Sequence, residues 1–115
     1  WEEHKIGGSG VPIPTDDGWL MIYHGVDRAN EYRVGIALLD REDPTKVIAR
    51  SPIPIFEPAE PIDFADWGLK CVFPCANVVI GDEVLMYYGC GDNHIGLATF
   101  SLKKAMEFVK QYRIQ

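Results

Sequence analysis

Hydrophobic and polar residues follow the two-residue period of β-strands along most of the chain. Segments rich in aromatic and β-branched residues are bounded by turn-forming residues, such as the Thr-Asp-Asp-Gly of residues 15–18. This pattern predicts strands at residues 18–25, 32–39, 47–50, 71–80, 83–90 and 94–100. Gly81 and Asp82 predict a tight hairpin turn between two of these strands.

The period changes to that of a helix near the end of the chain. Ser101 is a plausible N-cap, and residues 101–111 are predicted to form an amphipathic helix that packs on the sheets. Its apolar residues recur at i, i+3, i+4 and i+7: Leu102, Ala105, Met106 and Val109.

Two short motifs occur twice. Residues 21–25 (Met-Ile-Tyr-His-Gly) align with residues 85–89 (Leu-Met-Tyr-Tyr-Gly), and residues 34–37 align with residues 95–98. The glycine inside each copy of the second motif weakens a strand unless another group approaches it closely. Repeated sheets of this kind are typical of β-propeller blades.

The repeat predicts an all-β fold of about two blades. The first covers about residues 1–50, and the second covers residues 71–100. Residues 51–70 contain four prolines and are predicted to be an ordered, irregular connection. Two blades cannot close a ring, so we expect either a part of a larger propeller or self-association that completes one.

Composition and charge exclude several partners. The chain has 115 residues, 47% hydrophobic and 24% charged, with a formal net charge of −6. This acidic balance argues against nucleic-acid and anionic-membrane surfaces. No apolar run approaches the roughly 20 residues of a membrane span. The first residues lack the basic and apolar regions of a signal peptide, which predicts a cytoplasmic location.

Three cysteines, an odd number, predict free thiols and not a disulfide framework. One set of residues has a spacing similar to that of zinc ligands: Cys71, Cys75, Cys90 and His94. However, Cys71 and Cys75 lie in a predicted strand, where four residues span about 13 Å. We therefore predict no metal site.

Three polar residues are candidates for binding. His24 ends the first repeated strand, where propeller strands converge, and either a structural or a binding role fits it. Asp92 follows Gly-Cys-Gly and fits either a binding carboxylate or an Asx-turn. Lys5 precedes the glycine-rich residues 7–10, predicted to be a flexible stretch whose backbone amides can cradle an anion.

Several ordered blocks of the chain resemble glycoside hydrolase family 130. These are residues 5–8, 18–26, 32–35, 38–44, 47–50, 72–75 and 87–92. The resemblance implies β-mannoside phosphorylases or β-1,2-mannosidases with a five-bladed propeller. It also implies that this chain corresponds to about the two C-terminal blades of a typical member.

The resemblance implies a role for five residues. Lys5 and His24 match phosphate-binding residues of the family, and Tyr32 matches a phosphate-contacting tyrosine. Asp92 matches the carboxylate that holds hydroxyls of the cleaved sugar, and Phe73 lines that subsite. No residue matches the family's general-acid aspartate, so no catalytic residue is expected in this chain. No cofactor is implied, since inorganic phosphate is the co-substrate.

The expected function is therefore inverting phosphorolysis of β-mannosides, with this chain supplying phosphate-binding and sugar-binding residues. A lysine and an imidazole suit a phosphate nucleophile, whereas a water nucleophile requires a carboxylate base. A β-mannoside hydrolase of the same family is one alternative. A non-catalytic carbohydrate-binding or assembly module is another.

Overall fold

A computed structural model describes residues 1–114. It contains eight strands, one short 3-10 helix (Pro61–Asp63) and one α-helix, α1 (Leu102–Val109). The strands are β1 Lys5–Gly8, β2 Ile13–Thr15, β3 Gly18–Val26, β4 Glu31–Leu39, β5 Val47–Arg50, β6 Lys70–Ile80, β7 Glu83–Cys90 and β8 His94–Ser101. The predicted mostly-β fold with a C-terminal helix is confirmed.

The strands form two antiparallel units. In the first, β3 pairs with β1 and β2 on one side and with β4 on the other, and β5 pairs with β4. The second is the meander β6–β7–β8. A short parallel pairing joins the units, where Glu31 lies opposite Lys70 and Tyr32 opposite Cys71. Within residues 1–114 the sheet does not close on itself, and the number of blades stays a prediction.

One hydrophobic core is shared by both units. Leu20, Ile22 and Ile36 from the first unit are at most 2% exposed. Val84 and Met86 from the second belong to the same cluster of buried side chains. Because cross-strand partners point to one face of a sheet, this cluster identifies the face that each unit buries.

The helix begins where the sequence predicts. The Ser101 side chain accepts a hydrogen bond from the Lys104 backbone N–H at 3.1 Å, which makes it the N-cap. Met106 and Val109, two residues of the predicted stripe, are buried in the shared core. The helix ends at Val109, before the predicted end at residue 111. Among residues 1–114 no helix is long and apolar enough to cross a membrane.

The internal repeat is present in the structure, but its two motifs do not share one register. Tyr23 lies opposite Gly35 and Tyr88 lies opposite Gly96. A Cβ atom at either glycine would lie within 3 Å of its partner's ring, so the approaching groups expected from the sequence are these tyrosines. The first motif keeps the faces of its strand, since Ile22 and Met86, which the sequence alignment equates, both belong to the buried cluster. The second motif does not, because Gly35 lies opposite Tyr23, on the other face from Ile22, whereas Gly96 lies opposite Tyr88, on the same face as Met86. The alignment of residues 34–37 with residues 95–98 is therefore one residue out of register with that of the first motif.

Candidate functional site

Four of the predicted site residues meet at one end of the junction between the two units. Lys5 is on β1, His24 on β3, Tyr32 on β4 and Phe73 on β6. Lys5 lies opposite Val26, which lies opposite Tyr32, so both side chains share a face of the sheet. We call these four residues the His24 cluster.

The imidazole of His24 is the centre of the cluster. Its ring centroid is 4.5 Å from that of Phe73 and 5.8 Å from that of Tyr32. The side chain is buried, with 8% exposed. Its Nδ1 atom has no hydrogen-bond partner among residues 1–114. A buried polar atom without a partner is costly.

Gly7 makes room for the imidazole. It lies directly opposite His24 in the β1–β3 pair. A Cβ atom at Gly7 would lie 2.5 Å from Cε1 of His24 and 2.6 Å from Nε2. This role was not predicted from the sequence, and the prediction of a flexible stretch beginning at Gly7 was wrong, since Gly7 and Gly8 belong to β1. A glycine within a strand opposite a histidine was the available signal.

Lys5 supplies the positive charge of the cluster. Its Nζ atom lies 5.4 Å from the centroid of the Tyr32 ring, and the side chain is exposed. Burial lowers the pKa of His24 below its ordinary value of 6.5, and the charge of Lys5 lowers it further. At neutral pH the cluster therefore combines an ammonium group with an uncharged imidazole.

Arg33, a second cation close in sequence, is already neutralised. Its guanidinium pairs with Asp27 at 2.8 Å, Glu31 at 2.7 Å and Glu57 at 3.4 Å. It lies opposite Gly25, so it points to the other face of the sheet. Asp27 also accepts the backbone N–H of Glu31. This arrangement fixes the loop that leads into Tyr32.

Asp92 is exposed in the turn between β7 and β8, near the same end of the sheet. The backbone N–H of the preceding residue, Gly91, donates to the carbonyl oxygen of Cys71, and Cys71 lies opposite Tyr32. Burial and then the negative charge of Asp92 raise the pKa of the Cys71 thiol to about 11. The turn that carries Asp92 is thus bonded to Cys71, which pairs with Tyr32 of the His24 cluster.

The remaining cysteines do not assemble a metal centre. Cys75 is exposed, whereas Cys71 and Cys90 are buried, and all three are free thiols. In the described part of the chain, no three His, Cys, Asp or Glu side chains are arranged to hold a metal ion.

Comparison with known proteins identifies the family. A family profile described as beta-1,4-mannooligosaccharide phosphorylase matches residues 1–111. The chain belongs to glycoside hydrolase family 130. The resemblance noted from the sequence blocks is therefore confirmed.

Relatives in this family are named mannoside phosphorylases. The chain is 51% identical over 106 residues to a beta-1,2-mannobiose phosphorylase of Thermoanaerobacter sp. strain X514, covering 90% of this chain and 34% of the relative. It is 32% identical over 117 residues to a beta-1,4-mannooligosaccharide phosphorylase of Ruminococcus albus. That match covers 97% of this chain and 35% of the relative. The chain thus spans about a third of the length of these relatives.

Solved structures of the family share the fold. The beta-1,2-mannobiose phosphorylase of Listeria innocua, in complex with beta-1,2-mannobiose, superimposes with a TM-score of 0.91 at 34% identity. That match covers 96% of this chain and 31% of the other. A second structure comes from work on family 130 hydrolases that target beta-1,2 mannosidic linkages in Candida mannan. It superimposes with a TM-score of 0.72 at 29% identity, and the match covers 85% of this chain and 30% of the other.

Proposed function

We propose that this chain supplies the phosphate-binding and part of the sugar-binding residues of a β-mannoside phosphorylase. Lys5, His24 and Tyr32 hold inorganic phosphate, and Asp92 and Phe73 hold the mannosyl unit. The observation that carries the proposal is the meeting of an exposed lysine, Lys5, and of Tyr32 beside the imidazole of His24 on one face of the sheet.

The cluster suits a phosphate nucleophile. Phosphate near neutral pH carries between one and two negative charges and must lose part of its hydration to attack. Lys5 offsets that loss with a full positive charge, and the His24 imidazole offers a directed hydrogen bond. Two fixed contacts also orient the attacking oxygen. Phosphate then attacks the anomeric carbon from the face opposite the departing sugar, whose oxygen takes up a proton, and the configuration inverts.

The proposal gives this chain binding roles only. The family resemblance assigns the general acid to none of residues 1–115. Asp92, as a carboxylate, accepts hydroxyl protons of the mannosyl unit, and Phe73, 39% exposed, offers an apolar ring beside the sugar. Proton donation to the leaving group therefore lies outside the roles proposed here.

A chimera tests the proposal. In the beta-1,2-mannobiose phosphorylase of Thermoanaerobacter, the matching segment is replaced by this chain, and mannose 1-phosphate and free mannose are measured from a β-mannoside. We expect mannose 1-phosphate only when phosphate is present. Lys5→Met and His24→Gln should each lower kcat/KM for phosphate about 10²-fold, the scale of a lost charge-assisted contact.

Lys46→Met is the matched control, because Lys46 is an exposed lysine outside the cluster. It should leave the kinetics unchanged. Release of free mannose at equal rates with and without phosphate would instead assign a hydrolase, the activity for which one of the similar structures was studied. Unchanged phosphate kinetics in both cluster variants would remove the proposed roles of Lys5 and His24.

A further inference from the structure

Asp63 is a buried carboxylate that the proposed function does not use. It ends the 3-10 helix and is only 1% exposed. Its Oδ2 atom accepts hydrogen bonds from the backbone N–H groups of Ala59 at 3.0 Å and Glu60 at 2.9 Å. Its Oδ1 atom has no partner with hydrogen-bond geometry among residues 1–114. The two backbone hydrogen bonds tie Asp63 to Ala59 and Glu60 and so close the 59–63 turn.

The segment that Asp63 closes lies directly against Gly91. A Cβ atom at Gly91 would lie 2.6 Å from the carbonyl oxygen of Ile62, 3.2 Å from the carbonyl carbon of Asp63 and 3.3 Å from the nitrogen of Ala65. We call residues 59–65 the Asp63 loop. The contact is backbone against backbone, so the shape of this loop determines where Gly91 sits.

Gly91 in turn determines the conformation of Asp92. The two residues have φ angles of +57° and +61°, and the Asn93 N–H donates to the carbonyl oxygen of Cys90 at 3.0 Å. These are the features of a type I′ hairpin turn. A positive φ is uncommon outside glycine, although Asp adopts it more often than most residues, so the surrounding contacts add to the local preference that holds this turn.

We propose that Asp63 is a positioning residue for sugar binding, because its carboxylate holds the Asp63 loop against Gly91 and so fixes the direction in which Asp92 points. The inference rests on the proposed sugar-binding role of Asp92. The environment of Cys71 supports the geometry, since the charges of both Asp92 and Asp63 add to the effect of burial in raising the pKa of that thiol.

Two measurements test the proposal. The first is amide hydrogen exchange in the 115-residue chain. Asp63→Ala leaves two backbone N–H groups without an acceptor, and we expect the amides of Gly91 and Asn93 to exchange at least about tenfold faster. Asp63→Asn retains one acceptor oxygen and should restore part of the protection. Asp66→Ala, at an exposed aspartate three residues away, should change neither amide.

The second measurement is kinetic, in the chimera described above. Asp63→Ala should raise the KM for the β-mannoside at least about tenfold and leave the KM for phosphate within about twofold, because Lys5 and His24 lie on β1 and β3, whereas the Asp63 loop contacts Gly91 in the turn after β7. Asp63→Asn should recover most of the mannoside KM. A merely structural role would raise both constants together or lower only the yield of folded protein.

Each outcome decides the question. Unchanged exchange at Gly91 and Asn93 in Asp63→Ala, or a parallel rise of both KM values, overturns the positioning role. The variant Asp92→Asn distinguishes a failure of the positioning role of Asp63 from a failure of the proposed function. If Asp92→Asn leaves the mannoside KM unchanged, the role of Asp92 in sugar binding fails, and with it the sugar-binding part of the inference. The exchange measurement still decides whether Asp63 holds the turn.

Discussion

Replacing Gly7 with alanine would put a methyl group where the His24 imidazole lies. The new Cβ atom would be 2.5 Å from Cε1 of His24, well inside the roughly 3.5–4.0 Å at which carbon atoms pack best. The imidazole cannot simply retreat, because the Phe73 ring lies behind it with a centroid distance of 4.5 Å. The substitution therefore forces a displacement of about 1 Å through at least two side chains.

The expected magnitude combines two opposing effects. Overpacking of this kind costs about 1–3 kcal/mol. Alanine in place of glycine recovers about 0.4–1 kcal/mol, because it restricts the unfolded chain and Gly7 has no positive φ angle. We expect Gly7→Ala to lower the free energy of unfolding by about 1–2 kcal/mol. It should also weaken phosphate binding, since the displaced imidazole loses its alignment.

Gly8→Ala is the matched control, since no atom lies within 4 Å of a Cβ at that position. Denaturant unfolding of the chain should show Gly8→Ala to be neutral or slightly stabilising. In a double-mutant cycle, His24→Ala should remove most of the cost of Gly7→Ala, because it deletes the group that clashes. Equal stability of Gly7→Ala and Gly8→Ala would refute the packing of His24 over Gly7.

Two further predictions concern pH and the helix. Because burial and Lys5 lower the pKa of His24 in the folded chain, the unfolded chain binds more protons just below pH 6.5. The stability that neutral His24 provides is therefore complete above pH 6.5 and is lost as the pH falls through the folded pKa. Unfolding measured between pH 7.5 and about pH 5 should show this slope, and His24→Gln should reduce it. If the stability of His24→Gln depends on pH as steeply as that of the unchanged chain, other titratable groups cause the effect. Ser101→Ala removes the N-cap, at a cost of about 1 kcal/mol in denaturant unfolding. Since the hydrogen bond from Ser101 is the main cause that lowers the pKa of Asp82, an NMR titration should show that pKa rising toward its usual value. If Ser101→Ala keeps both the wild-type stability and the lowered pKa of Asp82, Ser101 does not act as the N-cap.

The local patterns located most of the secondary structure. The strands β5 and β7 begin and end at the predicted residues, and the helix begins after the predicted cap. The two edge strands β1 and β2 were not predicted, because Gly7, Gly8 and Pro14 oppose a strand when they are considered locally. Pairing with β3 decides their conformation, and that pairing is a contact between segments distant in sequence.

The candidate site was also only partly predictable from the sequence. The amino-acid types and the family blocks were enough to nominate Lys5, His24, Tyr32, Phe73 and Asp92 and to match each with a role. They did not show that Gly7 accommodates His24 or that the Asp63 loop lies against Gly91.

Those contacts depend on strand register and on the packing of one unit against the other. A shift of one residue reverses every side chain of a strand, as the alignment of residues 34–37 with residues 95–98 showed. The alternation of residues in a single strand records which positions can be buried, but not which partner strand buries them. Only the folded chain brings Gly7 under His24 and Gly91 against the Asp63 loop, because both contacts join segments that loop-closure entropy keeps apart in the unfolded chain.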